Sequence, residues 1–449
     1  MPRSDILICV DADAIVIGAG AAGLVAAQKL AGRSARVILL EARDRVGGRV
    51  WSRHEPRLET PAELGAEFIH GPAPETIALL RDAGIAAIPA GGDSWVRSGD
   101  GGLLRAGTDF AFAAGVFNAA RSLRMDESVD RFLRRLEADE ATRETARLAR
   151  AFVEGFDAAD PAIASARAIA DEWRSGVDWT IARPRGGYGP MFDLLRNACV
   201  GAGVEICLSA IVRKISWRRG AVAVDSSEAD GKSRTIHARA AIVTLPVGVL
   251  RHGGDRADVI FEPELPRARH DALANLEMGH AVKVSLWFRT AFWERLRNGR
   301  YRDGAFFRGE GQPFATYWTQ LPVRSRLMVA WAGGPKAIAL SPASDAELLE
   351  RALNGLAVLF GEPALVRDEF EGGALHDWGR DPFARGAYSY VAVGGGDARA
   401  TLAAPVDDTL FFAGEATSLD GQGGTVNGAL ETGARAALQA ATSLGVKAR

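Results

Sequence analysis

Cysteine is scarce in this sequence of 449 residues, which contains only Cys9, Cys199 and Cys207 and no Cys-x-x-Cys pair. Three cysteines cannot build a disulfide framework, so their number is typical of a reducing compartment. Long apolar runs are missing too. No stretch approaches the ~20 apolar residues of a transmembrane helix, and the run at residues 6–10 is too short for a signal peptide. We therefore expect a cytoplasmic protein that is not bound to a membrane.

A charge excess is also absent. The formal net charge is -2 at pH 7, so the chain lacks the basic field that would attract nucleic acid. Its seven histidines show no metal-binding spacing such as His-Glu-x-x-His. We expect neither a nucleic-acid partner nor a metal site. The composition that remains, 47% hydrophobic and 24% charged residues, is typical of a globular protein, and the length suggests two or three domains.

The most informative stretch covers residues 14–49. An apolar run leads into the turn Gly18-x-Gly20-x-x-Gly23, which a helical pattern follows, and a second apolar run closes on Glu41. This order predicts a strand, a glycine turn, a helix and a second strand that ends in an acid. It is the βαβ unit that binds one dinucleotide.

Each glycine of this turn has an expected role. Gly18 allows the tight turn, Gly20 lets the backbone approach a pyrophosphate, and Gly23 lets the helix pack closely on the strand. The phosphates would lie at the helix N-terminus, where unpaired N–H groups favour an anion. Glu41 can accept hydrogen bonds from a ribose 2′-OH and would repel a 2′-phosphate, which argues against NADP.

The segment after the second strand indicates which dinucleotide is bound. From Glu41 it reads Glu-Ala-Arg-Asp-Arg-Val-Gly-Gly-Arg, so a second glycine turn brings backbone amides to the same site. Arg43 and Arg49 can each meet a phosphate or the isoalloxazine edge. Through this run the chain resembles the flavin-containing amine oxidases, whose FAD-binding fingerprint it matches nearly continuously.

The resemblance continues in motifs further along the chain, among them the loop at Gly65 and Ala66 that passes close to the flavin ring in the family. Together these motifs imply that the following residues bind FAD: Gly18, Gly20, Ala22, Gly23, Glu41, Ala42, Arg43, Gly48, Arg49, Gly65, Ala66, Glu67, Val212, Pro246, Trp378, Gly414, Glu415, Gly424, Thr425 and Val426.

Lys283 lies in the apolar run Ala-Val-Lys-Val-Ser-Leu-Trp-Phe, which predicts a strand. Most strand lysines extend their ammonium to solvent. A lysine in the interior of an apolar strand is rare, so we favour a buried amine with a depressed pKa. The residue matches the family lysine that holds a water against flavin N5, and the resemblance implies that it helps O₂ to take electrons from the reduced ring.

The segment at residues 378–390 resembles the one that lines one face of the flavin in the family. The resemblance implies that Trp378 packs on the ring system and that Tyr388 forms one wall of an aromatic cage around the substrate nitrogen. Ala387 occupies the position of a cysteine that bonds covalently to the flavin in the monoamine oxidases. Alanine cannot form that bond, so FAD is expected to be non-covalent.

The terminal motif gives the most specific match. The resemblance implies that Gly414 lets the backbone approach the cofactor and that Glu415 takes a ribityl hydroxyl. A helix that begins near Thr425 would point its positive end at the flavin pyrimidine. Thr425 stands where some relatives have the second cage tyrosine, and Asn427 replaces a histidine that is frequent in polyamine oxidases.

His70 matches a histidine near the flavin in several polyamine oxidases. A lone histidine in a glycine-flanked loop is as readily a structural hydrogen bonder, so both roles stay open. With Lys283, Tyr388 and Thr425, it completes the set of candidate catalytic residues.

The fold class expected from these motifs is α/β, with a Rossmann-like FAD-binding domain interwoven with an α+β substrate domain. We assign residues 1–77, 186–261 and 386–449 to the first domain, and residues 78–185 and 262–385 to the second. Residues 110–170 are rich in helical patterns, including a long amphipathic stretch at residues 130–152. We interpret them as a helical insertion that covers one wall of the substrate cavity.

The resemblance implies an FAD-dependent amine oxidase. A hydride would pass from the α-carbon of a small amine to flavin N5, the imine would be hydrolysed, and O₂ would become H₂O₂. An L-amino-acid oxidase of the same fold would need an arginine for the carboxylate, and Arg97 and Arg308 are candidates. A carotenoid or protoporphyrinogen-type desaturase shares the N-terminal fingerprint. The Lys283 strand and the segment with Trp378 and Tyr388 resemble amine oxidases more closely. A non-enzymatic flavin-binding partner, like the chromatin-associated relatives, ranks last.

The substrate and the oligomeric state are open at this stage. An acidic funnel would favour polyamines, and Glu67, Glu154 and Asp157 are candidate members that are equally readable as surface acids. A homodimer is compatible with the sequence.

Overall fold

The computed structural model describes residues 10–97, 101–107, 109–174, 180–228, 231–251 and 258–447. Cys9 and most of the apolar run at residues 6–10 therefore lie outside the described residues. Strands and helices are mixed along this length, with runs of consecutive strands and one helical segment at residues 109–174. The strands are β1 (Ala14–Ile17), β2 (Val37–Leu40), β3 (Ser52–Arg53), β4 (Ala62–Glu63), β5 (Ile69–His70), β6 (Ala87–Pro89), β7 (Asp93–Arg97), β8 (Leu104–Ala106), β9 (Ile181–Pro184), β10 (Glu205–Cys207), β11 (Ile211–Arg218), β12 (Ala221–Ser227), β13 (Ser233–Ala238), β14 (Ala240–Val243), β15 (Ile260–Glu262), β16 (Leu276–Gly279), β17 (Ala281–Phe288), β18 (Gly304–Gly309), β19 (Thr316–Thr319), β20 (Leu327–Gly333), β21 (Phe370–Asp377), β22 (Tyr388–Val391) and β23 (Leu410–Phe412).

The helices follow the same numbering in chain order. They are α1 (Ala21–Ala31), α2 (Pro74–Asp82), α3 (Asp109–Val116), α4 (Val129–Glu137), α5 (Arg143–Gly155), α6 (Ala166–Arg174), α7 (Gly189–Gly201), α8 (Val247–Arg251), α9 (Arg267–Ala274), α10 (Leu296–Gly299), α11 (Pro335–Leu340), α12 (Asp345–Phe360), α13 (Pro363–Glu369), α14 (Ala398–Ala403) and α15 (Val426–Leu444).

A five-stranded parallel sheet has the order β10-β2-β1-β14-β23. Its three central strands are apolar and buried at every position, as expected for a parallel sheet covered on both faces. The strands come from the start, the middle and the end of the chain. This arrangement confirms the predicted α/β fold with a Rossmann-like unit, whereas the domain boundaries stay a prediction.

Helices α1 and α15 pack against each other on one face of this sheet, and small residues make that contact close. A Cβ on Gly433 of α15 would overlap the carbonyl oxygen of Ala22 in α1. Leu24 and Leu30 of α1 and Leu430 of α15 are fully buried in the same apolar cluster. The packing holds the N-termini of both helices near the carboxyl ends of the sheet strands.

A second, seven-stranded sheet has the order β21-β17-β20-β19-β18-β7-β8. Strand β17 is buried along its whole length. Val282, Val284 and Leu286 share a cluster with residues of α12, and because successive side chains of a strand alternate between faces, Lys283 points away from that helix. Helix α12 begins with a capping box between Ser344 and Glu347. The sheet therefore presents Lys283 on the face that α12 does not cover.

Helices α3 to α6 occupy residues 109–174, in agreement with the predicted helix-rich segment. The predicted amphipathic stretch at residues 130–152 is wrong as one element, because the structure divides it into α4 and α5. The side chain of Asp139 accepts a hydrogen bond from the N–H of Ala141 at 3.0 Å, and Thr142 donates to the carbonyl of Leu136 at 2.7 Å. Such local side-chain bonds compete with helix continuation.

Candidate active site

The glycine turn after β1 has the geometry that its sequence predicts. Gly18 adopts a φ of +101°, and a Cβ there would lie 2.5 Å from Thr244 Oγ1. A Cβ on Gly23 would overlap the carbonyl oxygen of Gly18, so only glycine lets α1 approach β1 this closely. Gly20 has no neighbouring atom within 4 Å of its missing Cβ and faces a cavity. The space beside Gly20 is open to a ligand.

Glu41 is buried at the end of β2. Its carboxylate accepts hydrogen bonds from the N–H groups of Ala19 at 2.8 Å and Arg43 at 2.9 Å. These two bonds fix the carboxylate at the edge of the cavity, where it can still accept from a ligand hydroxyl. The contact of Glu41 with a ribose stays a prediction.

Arg43 and Arg49 both line the cavity, but each is already paired with a carboxylate. Arg43 lies 2.6 Å from Asp381, and Arg49 lies 2.8 Å from Glu415. The pairing with Arg49 orients Glu415, which lines the cavity, whereas Asp381 lies outside the lining. The sequence did not indicate either pairing, because the partners are more than 330 residues apart in the chain.

Glu415 is the most highly bonded residue of the terminal motif. Its carboxylate accepts from Ser389 Oγ at 2.7 Å and from the N–H of Gly424 at 3.1 Å, in addition to Arg49. Burial opposes ionisation, but Arg49 and Arg399 outweigh burial and lower the pKa of Glu415. The acid is therefore charged and held in one orientation where the resemblance places a ribityl hydroxyl.

Packing within the protein requires glycine at position 65. A Cβ there would overlap the carbonyl oxygen of Arg49 and approach Trp378 to 3.0 Å, so protein packing alone requires glycine. Trp378 is buried and donates its indole N–H to the carbonyl of Leu64 at 2.9 Å. This bond fixes the ring at the cavity wall.

Helix α15 begins at the cavity, and Thr425 is its N-cap. Thr425 Oγ1 accepts from the N–H of Gly428 at 3.0 Å and donates to the carbonyl of Gln422 at 2.8 Å. The hydroxyl thus caps the N-terminus of α15. The positive end of the helix dipole lies at this terminus and faces the cavity. The Tyr388 hydroxyl donates to the carbonyl of Phe156, which fixes the tyrosine ring at the same wall.

Asn427, which replaces the family histidine, is buried in α15 rather than exposed to the cavity. Its side-chain oxygen accepts from the N–H of Thr76 at 3.1 Å, in the first turn of α2. Its amide donates to Glu431 at 2.9 Å. The asparagine therefore joins two helices and caps α2.

Lys283 is buried, as predicted, but its surroundings are not only apolar. Its ammonium donates to Glu67 at 2.7 Å and to the carbonyl of Gly65 at 3.0 Å. The lysine therefore lies in a polar pocket of the strand's buried face and not among apolar groups alone. The sequence did not indicate the carboxylate partner, and the depressed pKa stays a prediction.

Glu67 is the centre of a buried polar cluster that sequence reasoning missed. In addition to Lys283, its carboxylate accepts from Arg183 at 2.8 Å, from Trp318 at 3.0 Å and from Gln320 at 3.1 Å. Burial alone would raise the pKa of Glu67, but Lys283 and Arg183 lower it to about 2. The one sequence signal for the cluster was the period-two spacing of Trp318 and Gln320, which places both on one face of the chain.

The other acids of the suggested funnel also have partners. Glu154 pairs with Lys336 at 2.5 Å, and Asp157 accepts from the indole of Trp173 at 3.0 Å. Glu67 and Asp157 are buried and line the cavity, whereas Glu154 is partly exposed and does not line it.

His70 is a neutral residue of the cavity wall. Its ring lies edge-on to Phe156, with 5.4 Å between centroids, and its buried Nδ1 has no hydrogen-bond partner among the described residues. Burial lowers the pKa of His70 from 6.5 to about 4.

The low pKa of His70 predicts a pH effect on stability. The unfolded chain binds a proton at His70 below pH 6.5 and the folded protein only below about 4, so stability is lost as the pH falls between these values. At pH 5 the loss is about 2 kcal/mol relative to pH 8. The measurement is urea unfolding at both pH values for the wild type and for His70→Gln, which should lack this part of the loss. His54→Gln, at an exposed histidine, is the matched control, and equal losses in all three proteins would contradict the prediction.

The predicted residues come together around one cavity of about 1250 Å³. With the exception of Gly23, which packs α1 on β1, every residue assigned above to FAD or to catalysis lines it. The cavity runs from the glycine turn and Glu41 to Lys283, Tyr388 and His70. Within the described residues, no group of three or more histidine, cysteine, aspartate or glutamate side chains is arranged to hold a metal ion.

Comparison with known proteins agrees with this geometry. The family model described as flavin containing amine oxidoreductase matches residues 21–98 and 102–440. The chain belongs to this family. The resemblance found in the sequence is thereby confirmed, and a flavin-dependent oxidoreductase acting on amines is the enzyme class that the family represents.

Relatives within the family differ in length and in name. Lysine-specific histone demethylase 1 homolog 2 of Oryza sativa subsp. japonica is 28% identical over 95% of this chain, which spans 56% of that relative. Polyamine oxidase 4 of the same species is 28% identical over 94% of this chain and 87% of its own length. The chain thus spans little more than half of the demethylase homologue.

Solved structures share the fold at lower identity. Cyclohexylamine oxidase from Brevibacterium oxydans has a TM-score of 0.77 and 23% identity, over 97% of this chain and 98% of its own. Wild-type putrescine oxidase bound to putrescine has the same TM-score and identity, over 95% of this chain. Among the residues described for the present family member, no helix combines the length and apolarity needed to cross a bilayer.

Proposed function

We propose that this protein is an FAD-dependent amine oxidase that acts on a small-molecule amine with O₂ as the electron acceptor. The observation that carries the proposal is the single cavity that joins the nucleotide-binding turn to Lys283 and Tyr388. Its volume of about 1250 Å³ exceeds the range of about 300–1000 Å³ of ordinary small-molecule sites. It suits a dinucleotide together with a small substrate.

The residues around the cavity fit FAD. Glu41 would accept from the adenosine ribose, with Val212 beside it. The open space at Gly20 and the N-terminus of α1 would take the pyrophosphate, and Glu415 would accept from the ribityl chain. The N-terminus of α15 at Thr425 favours negative charge on the flavin pyrimidine.

When bound, FAD would supply the hydride acceptor and the route of the electrons to O₂, so that the amine becomes an imine, water hydrolyses the imine and O₂ becomes H₂O₂. The protein itself binds and orients the amine. Trp318 and Trp331 add apolar surface to the cavity wall, which disfavours a protonated amine because a charge loses its hydration there. His70 is neutral above pH 4, so it adds no charge near the substrate.

The cavity wall also predicts how the flavin is held. Ala387 has no atom that can bond to the cofactor, so heating or acid should release all of the flavin into the supernatant. The measurement is the absorbance of the supernatant and of the pellet after precipitation. A pellet that stays yellow after washing in denaturant would contradict non-covalent binding.

The experiment that tests the function follows the flavin absorbance without oxygen while amines are added. The panel contains benzylamine, a secondary amine, spermidine and a neutral L-amino acid, and we expect an amine to bleach the flavin. Admission of O₂ should restore the colour and form one H₂O₂ per amine oxidised. A yellow protein that no amine bleaches would refute the proposed function, and a protein that cannot be reconstituted with FAD would refute the cofactor.

One observation supports amino-acid oxidation as a second candidate. Arg308 lies in the cavity wall, with its guanidinium 5.4 Å from the centroid of Phe152, whereas Arg97 binds the carbonyls of Val358 and Leu359. Bleaching by the L-amino acid alone, abolished in Arg308→Met, would favour this candidate. A cytoplasmic location and a homodimer stay predictions.

A further inference from the structure

We propose that Glu67 is a positioning residue for Lys283, whose ammonium it pairs with and holds at one point of the cavity wall. The inference rests on the proposed function, because it concerns the reaction of the reduced enzyme with O₂. It assigns Glu67 a task that is distinct from the cofactor contact and the acidic funnel considered for this residue above.

The first argument is the geometry of the Lys283 ammonium. An ammonium has three N–H donors, and two of them are directed at Gly65 O and Glu67. Both acceptors lie at residues 65–67, just before β5, and these two bonds connect that segment to β17. At most one donor is left for a molecule in the cavity, and its direction is set by the other two.

The second argument is that Glu67 cannot swing away. Four donors from different parts of the chain converge on its carboxylate: Lys283, Arg183, Trp318 and Gln320. Arg183 is itself held by the carbonyls of Leu321 at 3.1 Å and Thr319 at 3.0 Å. The carboxylate is a fixed point, and the ammonium bonded to it is fixed too.

The third argument is charge. The cluster contains one carboxylate and two cations, so it carries a net positive charge in a buried wall. A fixed positive charge in a site shielded from water stabilises negative charge that develops nearby. Transfer of electrons to O₂ creates such a charge, and Lys283 is the cation of the cluster that faces the cavity.

The other titratable groups around Lys283 have separate partners. Glu63 accepts from Ser52 and from the N–H of Tyr188, and burial raises its pKa to about 7. His376 pairs with Lys283 across β21 and β17 in the sheet register, but its ring bonds to Asp381 at 3.0 Å. Among the described residues, Glu67 is the carboxylate that accepts a hydrogen bond from Lys283.

The test separates the reaction with O₂ from the reaction with amine. The holoenzyme is reduced with dithionite, so that no amine is needed. It is then mixed with O₂ between pH 8 and pH 10, above the range in which Glu63 titrates, while the flavin absorbance is recorded. The variants are Glu67→Gln and Glu67→Asp. Glu63→Gln is the matched control, because it removes a nearby buried carboxylate that does not bond to Lys283.

We expect the wild-type reoxidation rate to be nearly independent of pH. In Glu67→Gln, the ammonium lies beside Arg183 without its carboxylate and deprotonates as the pH rises. The rate should then fall by about 10- to 100-fold toward high pH, while the control keeps the flat wild-type profile. Glu67→Asp keeps the charge but shortens the side chain, so its rate should fall while its profile stays flat.

A second readout does not depend on turnover. The midpoint potential of the bound flavin should rise at pH 7 in Glu67→Gln, because a negative charge is removed from the wall, and should change less in Glu63→Gln. A flat profile in Glu67→Gln, or the same profile in Glu63→Gln, would overturn the proposal. If Glu67→Gln does not fold, a wild-type rate in Glu67→Asp would overturn it. Failure of the amine panel would refute the proposed function alone, since dithionite replaces the amine here.

Discussion

Replacement of Glu67 by glutamine is expected to lower the free energy of unfolding by about 3–5 kcal/mol, because it leaves buried cations without their counter-charge. The Lys283 and Glu67 side chains are only 2% and 3% exposed, and Arg183 is 11% exposed. Solvent therefore cannot replace the carboxylate. The measurement is urea denaturation at pH 7.5 with the slope of the transition compared between proteins.

Two further variants show whether the cause is the unpaired charge. Glu350→Gln breaks an ion pair with Arg367 in which both side chains are about half exposed, and surface pairs contribute little, so this control should stay close to the wild type. Glu67→Gln combined with Lys283→Met removes one of the unpaired cations and should be less destabilised than Glu67→Gln alone. If Glu67→Gln is as stable as Glu350→Gln, the cluster does not have the stabilising role assigned to it.

Alanine at position 23 is expected to abolish flavin binding and to destabilise the fold, whereas alanine at position 20 should abolish flavin binding alone. The Cβ of Gly23→Ala would overlap the carbonyl oxygen of Gly18, which is backbone and cannot rotate away. Helix α1 would have to move off β1, and overpacking of this kind costs about 1–3 kcal/mol or more. The Cβ of Gly20→Ala meets no protein atom within 4 Å and would occupy only the space open to the cofactor.

The measurements for the pair are the flavin content of the purified protein and the melting temperature of the flavin-free form. Gly201→Ala, at the exposed end of α7, also meets no atom within 4 Å. It should keep both flavin and stability, because alanine is favoured over glycine in a helix. Full flavin content in Gly20→Ala would show that the cofactor does not approach this backbone.

Local sequence was sufficient for the cofactor unit. The run from β1 through the glycine turn to β2 was predicted almost residue by residue, because glycine spacing and apolar runs act over a few residues. The burial of Lys283 was indicated in the same way by its apolar strand, whereas the candidate residues of the terminal motif came from the family resemblance. That nearly all of them line one cavity could be inferred from the family resemblance, not from periodicity.

The sequence by itself determined the parallel sheet, the glycine turn and the set of residues that surround the cavity. Only the tertiary structure decided how the charges within that set are paired. Glu67 and Lys283 are 216 residues apart, and Arg43 and Asp381 are 338 apart. A strand pattern records whether a side chain is buried, but an ion pair depends on which distant strand packs against it. For that reason the sequence indicated that Lys283 is buried, but not that it forms a buried ion pair with Glu67.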